Sequence, residues 1–326
     1  MICNIFKFKD ILLQVISLSV LILILSLIVF LILILLYFFC IAFVKHNTGD
    51  TDNLDDPINN FLSEYKDEIK KGMDYNNSQP HKWIYTESFD GLKLAARYYD
   101  NKSDKTVILF HGYRSSALRD FSCAVEMYKS FGFNVLLCDQ RSHGRSDGKL
   151  ITFGAKEKYD VITWCEYVTE KYSAKKIILG GMSMGATTVL LSLGLDIPKN
   201  VEAVIADCGF TSPEDIILKV AKQNYRINAK LILPLINIFC IILGKFSIYN
   251  NDTRVAVKKC DIPILLIHGE SDGFVPCEMS KETIKNANVK SSILLVENAD
   301  HGLSFLVDCN LVKSSIKKFL KEYDLY

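Results

Sequence analysis

The stretch Leu179-Gly180-Gly181-Met182-Ser183-Met184-Gly185-Ala186 constrains this chain more than any other. Lys176-Ile177-Ile178-Leu179 leads in and reads as a short buried strand. Ala186-Thr187-Thr188-Val189-Leu190-Leu191 leads out and reads as the start of a helix. Between them Ser183 has a glycine two places before and two places after, the G-x-S-x-G pattern of a nucleophile elbow. The turn is so tight that a side chain at either glycine would collide with a neighbouring element. The serine is expected in a strained backbone conformation with its hydroxyl clear at the end of a sheet, and such strain is stored where geometry serves function. A glycine-rich turn with a bystander serine would carry the same five residues. The strand before and the helix after are what separate the two readings.

Strands and helices alternate on both sides of this turn. Trp83 to Glu87 and Leu92 to Tyr99 flank Asp90-Gly91, a hairpin signal. Thr106 to Phe110 reads as a buried strand ending in His111-Gly112-Tyr113-Arg114-Ser115-Ser116, with a helix from Ala117 to Phe131 after it. Phe133 to Cys138 is the next strand and runs into Asp139-Gln140-Arg141-Ser142-His143-Gly144-Arg145-Ser146. Lys156 to Tyr172 has helical apolar spacing, and Val201 to Ala206, Ile262 to Ile267 and Ser291 to Val296 read as further strands. Alternation of this kind implies an α/β class, a mostly parallel sheet flanked by helices through right-handed crossovers. Ligands on such sheets bind beyond the carboxyl ends of the strands, where Ser183 and the His111-Gly112 turn both lie.

Taken in order, His111-Gly112-Tyr113, the loop from Asp139 to Ser146, the elbow from Gly181 to Gly185, Gly269-Glu270-Ser271-Asp272 and Asp300-His301-Gly302 form a recognisable set. The chain resembles an α/β-hydrolase of the branch that holds monoacylglycerol lipases and serine aminopeptidase-like enzymes. The resemblance covers roughly Ile84 to the C-terminus. It implies the α/β-hydrolase fold and a hydrolase that needs no metal and no organic cofactor. One departure is Ser142, where the family usually has glycine before His-Gly, which leaves the shape of that loop open.

A serine hydroxyl is a weak nucleophile and needs an adjacent base, itself oriented by a third group. On this fold the order is serine, acid, histidine. After Ser183 only His268 and His301 remain. His268 ends an apolar strand before Gly269 and is expected to support the turn. His301 follows a strand in the polar loop Glu297-Asn298-Ala299-Asp300, which can reach the serine, so it is the expected base. Among acids, Asp272, Glu270 and Asp207 all end or follow strands, and the resemblance selects Asp272. Its work is to hold the imidazole tautomer and to stabilise the imidazolium. An oxyanion hole needs two N–H groups, one from the residue after the nucleophile, Met184, and one from the loop after the Thr106–Phe110 strand. The resemblance assigns that second donor to Tyr113. His143 and Arg141 are expected to hydrogen-bond within their own loop, and His46 and His81 receive no role.

Ile11 to Val44 is apolar apart from Gln14 and a few serines. As a helix these 34 residues reach about 51 Å, against about 30 Å for the hydrocarbon core of a bilayer. A signal peptide has an apolar region of roughly 7–15 residues and a small-residue cleavage site, so an uncleaved single-pass anchor is expected. Lys7 and Lys9 before the span, against Lys45 after it, place the catalytic domain on the extracytoplasmic side by the positive-inside rule. The ten cysteines lack metal-ligand spacing. Cys123, Cys138, Cys165 and Cys208 fall in core elements, where a free thiol acts as a small hydrophobe, and many free thiols suit a reducing compartment instead. Residues 1–46 are thus read as anchor, 47–80 as a linker around one short helix, Ile58 to Lys71, and 81–326 as the catalytic domain. That domain has its own core, so a chain starting near Asn47 is expected to be soluble and active.

Residues 211–253 interrupt the alternation, where such folds insert a lid. Leu231 to Leu243 within it is apolar all round but too short to span a membrane, and Pro234 and Asn237 interrupt it. It is expected to pack as a helix over the site. The other reading is a lid that lies against the membrane or guides apolar substrate. If the segment roofs the site, its inner face, with Ile238 and Ile242, sets an acyl pocket. The net charge of +1 leaves no nucleic-acid footprint. The expected function is a membrane-anchored serine hydrolase that cleaves an ester of an apolar acyl group through an acyl-enzyme. A peptidase or amidase uses the same three residues, and a binding protein could keep the fold without turnover. The partners implied are a small acyl ester or peptide and the membrane.

Overall fold

The computed structural model describes residues 2–45, 51–287 and 291–326. His46 and the beginning of the expected linker therefore lie outside the described residues. The chain opens with α1 (Ile2–Phe43), then a 3-10 helix (Pro57–Tyr65) and α2 (Lys66–Ser78). The strands β1 (Lys82–Glu87) and β2 (Lys93–Tyr99) form an antiparallel hairpin whose turn uses Gly91 at φ +82. Six strands follow: β3 (Lys105–Phe110), β4 (Asn134–Asp139), β5 (Lys176–Met182), β6 (Val201–Asp207), β7 (Ile264–Gly269) and β8 (Ser292–Val296). They pair in parallel, and only β2 runs against its neighbours, in the order β1-β2-β4-β3-β5-β6-β7-β8. The α/β class and the mostly parallel sheet read from the sequence are what is observed.

Between the strands run α3 (Ala117–Asp120), α4 (Ala124–Ser130), α5 (Glu157–Tyr172) and α6 (Met184–Ser192). Then come α7 (Pro213–Tyr225), α8 (Leu233–Gly244), α9 (Thr253–Ala256), α10 (Cys277–Ile284), α11 (Ser304–Val307) and α12 (Cys309–Glu322). The helix expected from Ala117 to Phe131 is broken at Phe121-Ser122-Cys123. At the break the Phe121 carbonyl accepts from the Ala124 N–H at 3.1 Å and also from Asn76 Nδ2 of α2 at 3.2 Å. A Cβ on Gly72 would stand 2.6 Å from the Ser122 carbonyl oxygen, so α2 lies almost backbone to backbone on the break.

Two apolar layers cover the sheet. Val161, Trp164, Val189 and Leu190 pack on one face; Phe121, Val125, Ile316 and Phe319 pack on the other. A third cluster joins the end of α1 to the lid and to the loop after β4: Leu35, Phe39, Phe43, Ile151, Phe153, Leu233 and Ile236. Phe43 is 0% exposed. The core that the sequence reading gave to the catalytic domain alone therefore includes the last turns of α1. The segment read as a linker is also built into the body. Leu62, Ile69 and Met73 are buried with Leu118, and Asn59 accepts a hydrogen bond from the buried Arg119 guanidinium.

Candidate active site

β5 delivers Ser183 to the C-terminal edge of the sheet, and α6 begins immediately after it. Ser183 has φ +54 and ψ −115, a conformation that only a tightly held L-residue keeps. The flanking glycines hold it there. A Cβ on Gly181 would strike the Gly185 backbone, and one on Gly185 would strike the Phe110 and His111 carbonyls. The Ser183 N–H donates to the Asp207 carbonyl at 2.8 Å, tying the elbow to β6.

The loops after β7 and β8 bring the other two expected residues to the serine. His301 Nδ1 lies 2.7 Å from Asp272 Oδ2, and Nε2 lies 2.9 Å from Ser183 Oγ. A carboxylate only accepts, so Nδ1 carries the proton and Nε2 is left to accept from the hydroxyl. The Asp272 side chain is fully buried. Burial alone would raise its pKa, but hydrogen bonds from His268, His301 and the Val275 amide hold the carboxyl well below the usual range. It therefore stays ionised beside the imidazole.

The neighbouring groups have other work. His268 Nε2 donates to the Val275 carbonyl at 2.8 Å and lies 3.2 Å from Asp272 Oδ2, while Nδ1 accepts from Ser280 Oγ at 2.7 Å. It braces the acid loop, as expected of it. The Asp207 carboxylate accepts from Ser304 Oγ at 3.1 Å, and burial raises its pKa to about 6. Arg141 is held in the loop after β4 by Asp160, at 2.6 and 2.7 Å, and by Asp90. His143 is buried, which holds it well below its ordinary pKa. Its Nε2 accepts the Arg114 N–H at 3.0 Å and its Nδ1 donates to the Arg141 carbonyl at 3.0 Å. Ser142 sits at φ +66 with its hydroxyl on the Leu150 carbonyl. Where the family uses glycine, this chain places a serine in the left-handed region that glycine favours.

The loop after β3 presents its amides in an alternating way. Gly112 N–H donates to Asp120 Oδ2 at 2.8 Å and Arg114 N–H to His143. Among the described residues, the Tyr113 N–H between them has no acceptor. Met184 N–H, at the first position of α6, has no intrahelical partner by construction of a helix. Two residues missed by the sequence reading hold these loops. Asp120 fixes the Gly112 amide, and Asp300 Oδ1 accepts from Gly273 N–H at 2.9 Å and His301 N–H at 2.7 Å, stitching the acid loop to the base loop. The position of Asp300, next to the histidine and facing Gly273, was the available signal.

The family model described as serine aminopeptidase, S33 (Hydrolase_4) matches residues 101–238, which contain Tyr113, Ser183 and Met184. The chain is 26% identical to the Pyrococcus furiosus esterase Pf2001, with a TM-score of 0.62, over 76% of this chain and 93% of that one. The chain has the α/β-hydrolase fold. Est1E of Butyrivibrio proteoclasticus, solved with ferulic acid, shares the fold at 20% identity and a TM-score of 0.59, over 74% of this chain and all of that one. The lysophosphatidylserine lipase ABHD12 of Danio rerio is 27% identical over 57% of this chain and 49% of its own length. The protein YqkD of Bacillus subtilis is 26% identical over 66% of this chain and 70% of its own length.

This α/β-hydrolase opens its Ser183 edge into a cavity of about 250 Å³. Its walls come from Phe61, Leu62 and Ile69 of the segment before β1, Met127 and Tyr128 of α4, and Phe305 and Ile316 near the C-terminus. In the sequence reading, a segment that roofed the site would set the pocket with Ile238 and Ile242 facing in. The lid lines none of this cavity. Leu233, Ile236 and Cys240 of α8 face inward against α1 and Phe153, while Ile238, Ile241 and Ile242 face outward, Ile242 at 68% exposure. A helix that is apolar on every side gives no periodic signal for which face will be buried. Cys208, Asp272 and His301 place donor atoms within 4.8 Å of one another. Burial pushes the Cys208 thiol up, keeping it protonated, and the other two are bonded to each other, so this donor set does not suit a cation.

Proposed function

We propose that this hydrolase is a membrane-anchored serine esterase acting on a carboxylic ester with an apolar acyl group. The observation that carries the reading is the continuous hydrogen-bonded line from Ser183 Oγ through His301 to Asp272, at 2.9 and 2.7 Å. In this reading Ser183 Oγ attacks the ester carbonyl as His301 Nε2 takes its proton. The oxyanion forms between the N–H groups of Tyr113 and Met184, where preorganised donors contribute most. Collapse breaks the ester C–O bond, His301 protonates the departing alkoxide, and the acyl group remains on Ser183. Water then attacks with His301 as base, releasing the acid and regenerating the hydroxyl. Asp272, ionised and buried, stabilises the imidazolium in both steps. The apolar cavity beside Ser183 supports the acyl preference. The match to the serine aminopeptidase model favours a peptidase or amidase as the second reading.

The anchor is part of the proposal. Leu13–Phe43 is long and apolar enough to cross a membrane, and its last turns pack into the body. Cleavage beyond Val44, as in a signal peptide, would strip Phe39 and Phe43 from that core. The extracytoplasmic placement of the catalytic domain rests on the lysine distribution. The exposed Cys309 thiol offers its test, since a membrane-impermeant maleimide would label it in intact cells only from outside.

The decisive experiment is labelling with a fluorophosphonate probe, followed by hydrolysis of an ester and an amide series. The expected result is labelling that Ser183→Ala abolishes, and esters cleaved faster than amides. Labelling that survives Ser183→Ala would move the nucleophile elsewhere. Its absence from the folded unaltered chain would favour a binding role, and faster amide cleavage the peptidase reading.

A further inference from the structure

A helix leaves its last four carbonyls without intrahelical donors, and they need partners from elsewhere. At the end of α1 the body supplies them. The Phe43 carbonyl accepts from Ile151 N–H at 2.7 Å, and Lys45 N–H donates to the Lys149 carbonyl at 2.8 Å. The remaining donors come from the loop after β3. Tyr113 Oη donates to the Ala42 carbonyl at 2.8 Å. Arg114 Nη2 donates to the Ile41 carbonyl at 2.7 Å and the Val44 carbonyl at 3.1 Å. A guanidinium suits the negative end of a helix dipole. Burial raises the Tyr113 phenol to about 12, so it remains a donor.

These are the side chains of the residues whose backbone carries the proposed oxyanion donor. The Tyr113 ring is stacked on Phe153 at 5.0 Å, and Phe153 packs edge-on to Phe43 at 5.4 Å. Arg114 has φ +50, a conformation the loop holds against its intrinsic preference. On one side the loop is tied to the body by Asp120 and His143. On the other, the Tyr113 and Arg114 side chains are bonded to α1, with the Tyr113 ring against Phe153.

The geometry points to the C-terminal end of α1 as the outer half of the oxyanion-hole support, with Tyr113 and Arg114 as positioning residues that make turnover depend on a docked anchor. The inference rests on the serine-hydrolase reading above. Undocking α1 would free the loop side chains and let the Tyr113 N–H drift from the place where the oxyanion forms. An oxyanion-hole donor is worth about 10²- to 10³-fold in rate, and a displaced donor would forfeit part of that.

The test uses the full chain in detergent micelles and a soluble short-chain ester. Tyr113→Phe keeps the backbone amide and the ring stack and removes only the bond to α1. Arg114→Ala removes the two-carbonyl clamp, and Arg114→Lys restores the charge without the planar guanidinium. The expected result is a fall in kcat of roughly 10- to 100-fold in the first two, with KM within about twofold and partial recovery in Arg114→Lys. Affinity for a trifluoromethyl ketone, whose Ser183 adduct carries the oxyanion, should fall by the same factor. A merely structural role would lower the unfolding midpoint without this parallel loss. Phe43→Ala, which loosens α1 from its own side, combined with Tyr113→Phe should be no worse than the more severe single change, since both act through one docking. Values of kcat and ketone affinity within twofold of the unaltered chain in both Tyr113→Phe and Arg114→Ala overturn the inference while leaving the hydrolase reading intact. An unaltered chain that cleaves no ester overturns both.

Discussion

Two apolar helical regions stand beside Ser183, and they face opposite ways. The segment before β1 turns Leu62 and Ile69 inward, where they wall the cavity next to the serine. The lid helix α8 keeps Leu233, Ile236 and Cys240 inside and leaves Ile238, Ile241 and Ile242 on the surface beside α1. The more polar segment thus shapes the cavity beside Ser183, and the more apolar one presents greasy surface outward. Phe39 of α1 meets Phe239 of α8 with ring centroids 6.1 Å apart, so the lid packs directly against the end of the anchor. Apolarity measures how much a segment gains by leaving water. It does not say whether protein or lipid takes water's place.

The strongest way to calibrate that contrast is a loss indifferent to acyl length. Asp272→Asn should lower kcat by about 10⁴ on every ester from acetyl upward, measured by initial rates. A loss that varies with chain length would mean that the acid loop itself touches the acyl group.

The next effect should separate the two walls. Each methylene the cavity accepts adds about 0.8 kcal/mol, close to fourfold in kcat/KM. Leu62→Trp, by excluding three or four methylenes, should cost about 100-fold on longer chains by that arithmetic and little on acetyl esters. Ile238→Ser should leave the same profile unchanged. If the lid substitution flattens the climb and Leu62→Trp does not, the pocket lies under the lid after all.

A smaller effect concerns the outward face. With Ile241 and Ile242 both replaced by Asp, hydrolysis of an ester dissolved in phospholipid vesicles should fall about tenfold through weakened contact with lipid. Hydrolysis of a soluble ester should stay within twofold. Equal losses on both substrates would make α8 an ordinary part of the core.

The smallest kinetic change is expected at Asp207, within about twofold, and its signature is in stability. Burial raises its folded pKa from 3.8 to about 6. The folded chain holds that proton more tightly, so the stability it contributes is full below the unfolded pKa and is lost as pH rises to about 6. Asp207→Asn removes the slope. Its unfolding free energy relative to the unaltered chain should therefore climb between pH 4 and pH 7, by at most ~3 kcal/mol at ~1.4 per unit. A flat difference across that range would show that Asp207 is not held neutral by burial.

The elbow and the alternation of strands and helices around it were legible because they rest on local demands, while the choice of Asp272 as the partner of His301 came from the resemblance. Gly181 and Gly185 are required where any Cβ would strike backbone, and an acid and a histidine after successive strands are carried to the same edge of a parallel sheet. Asp120 and Asp300 were not legible as loop fasteners. Many loop aspartates look alike until the amide each one meets is known. The break after Asp120 was hidden for a related reason: α2 packs on it, and Asn76 donates to the Phe121 carbonyl from 45 residues away.

By itself the sequence determined the class of fold, the three residues Ser183, His301 and Asp272 that the fold brings together, and the existence of a helix long enough to span a bilayer. Steric necessity and apolar periodicity act over a few residues and leave their mark on composition. Only the tertiary structure decided which apolar face looks inward, that the segment from Pro57 to Ser78 walls the cavity, and that the end of α1 is bonded to Tyr113 and Arg114. The physical reason is that burial and hydrogen-bond satisfaction belong to pairs of surfaces. The carbonyls at the end of α1 require donors wherever the chain can bring them, and nothing in Ile41 or Ala42 names the loop seventy residues on that supplies them.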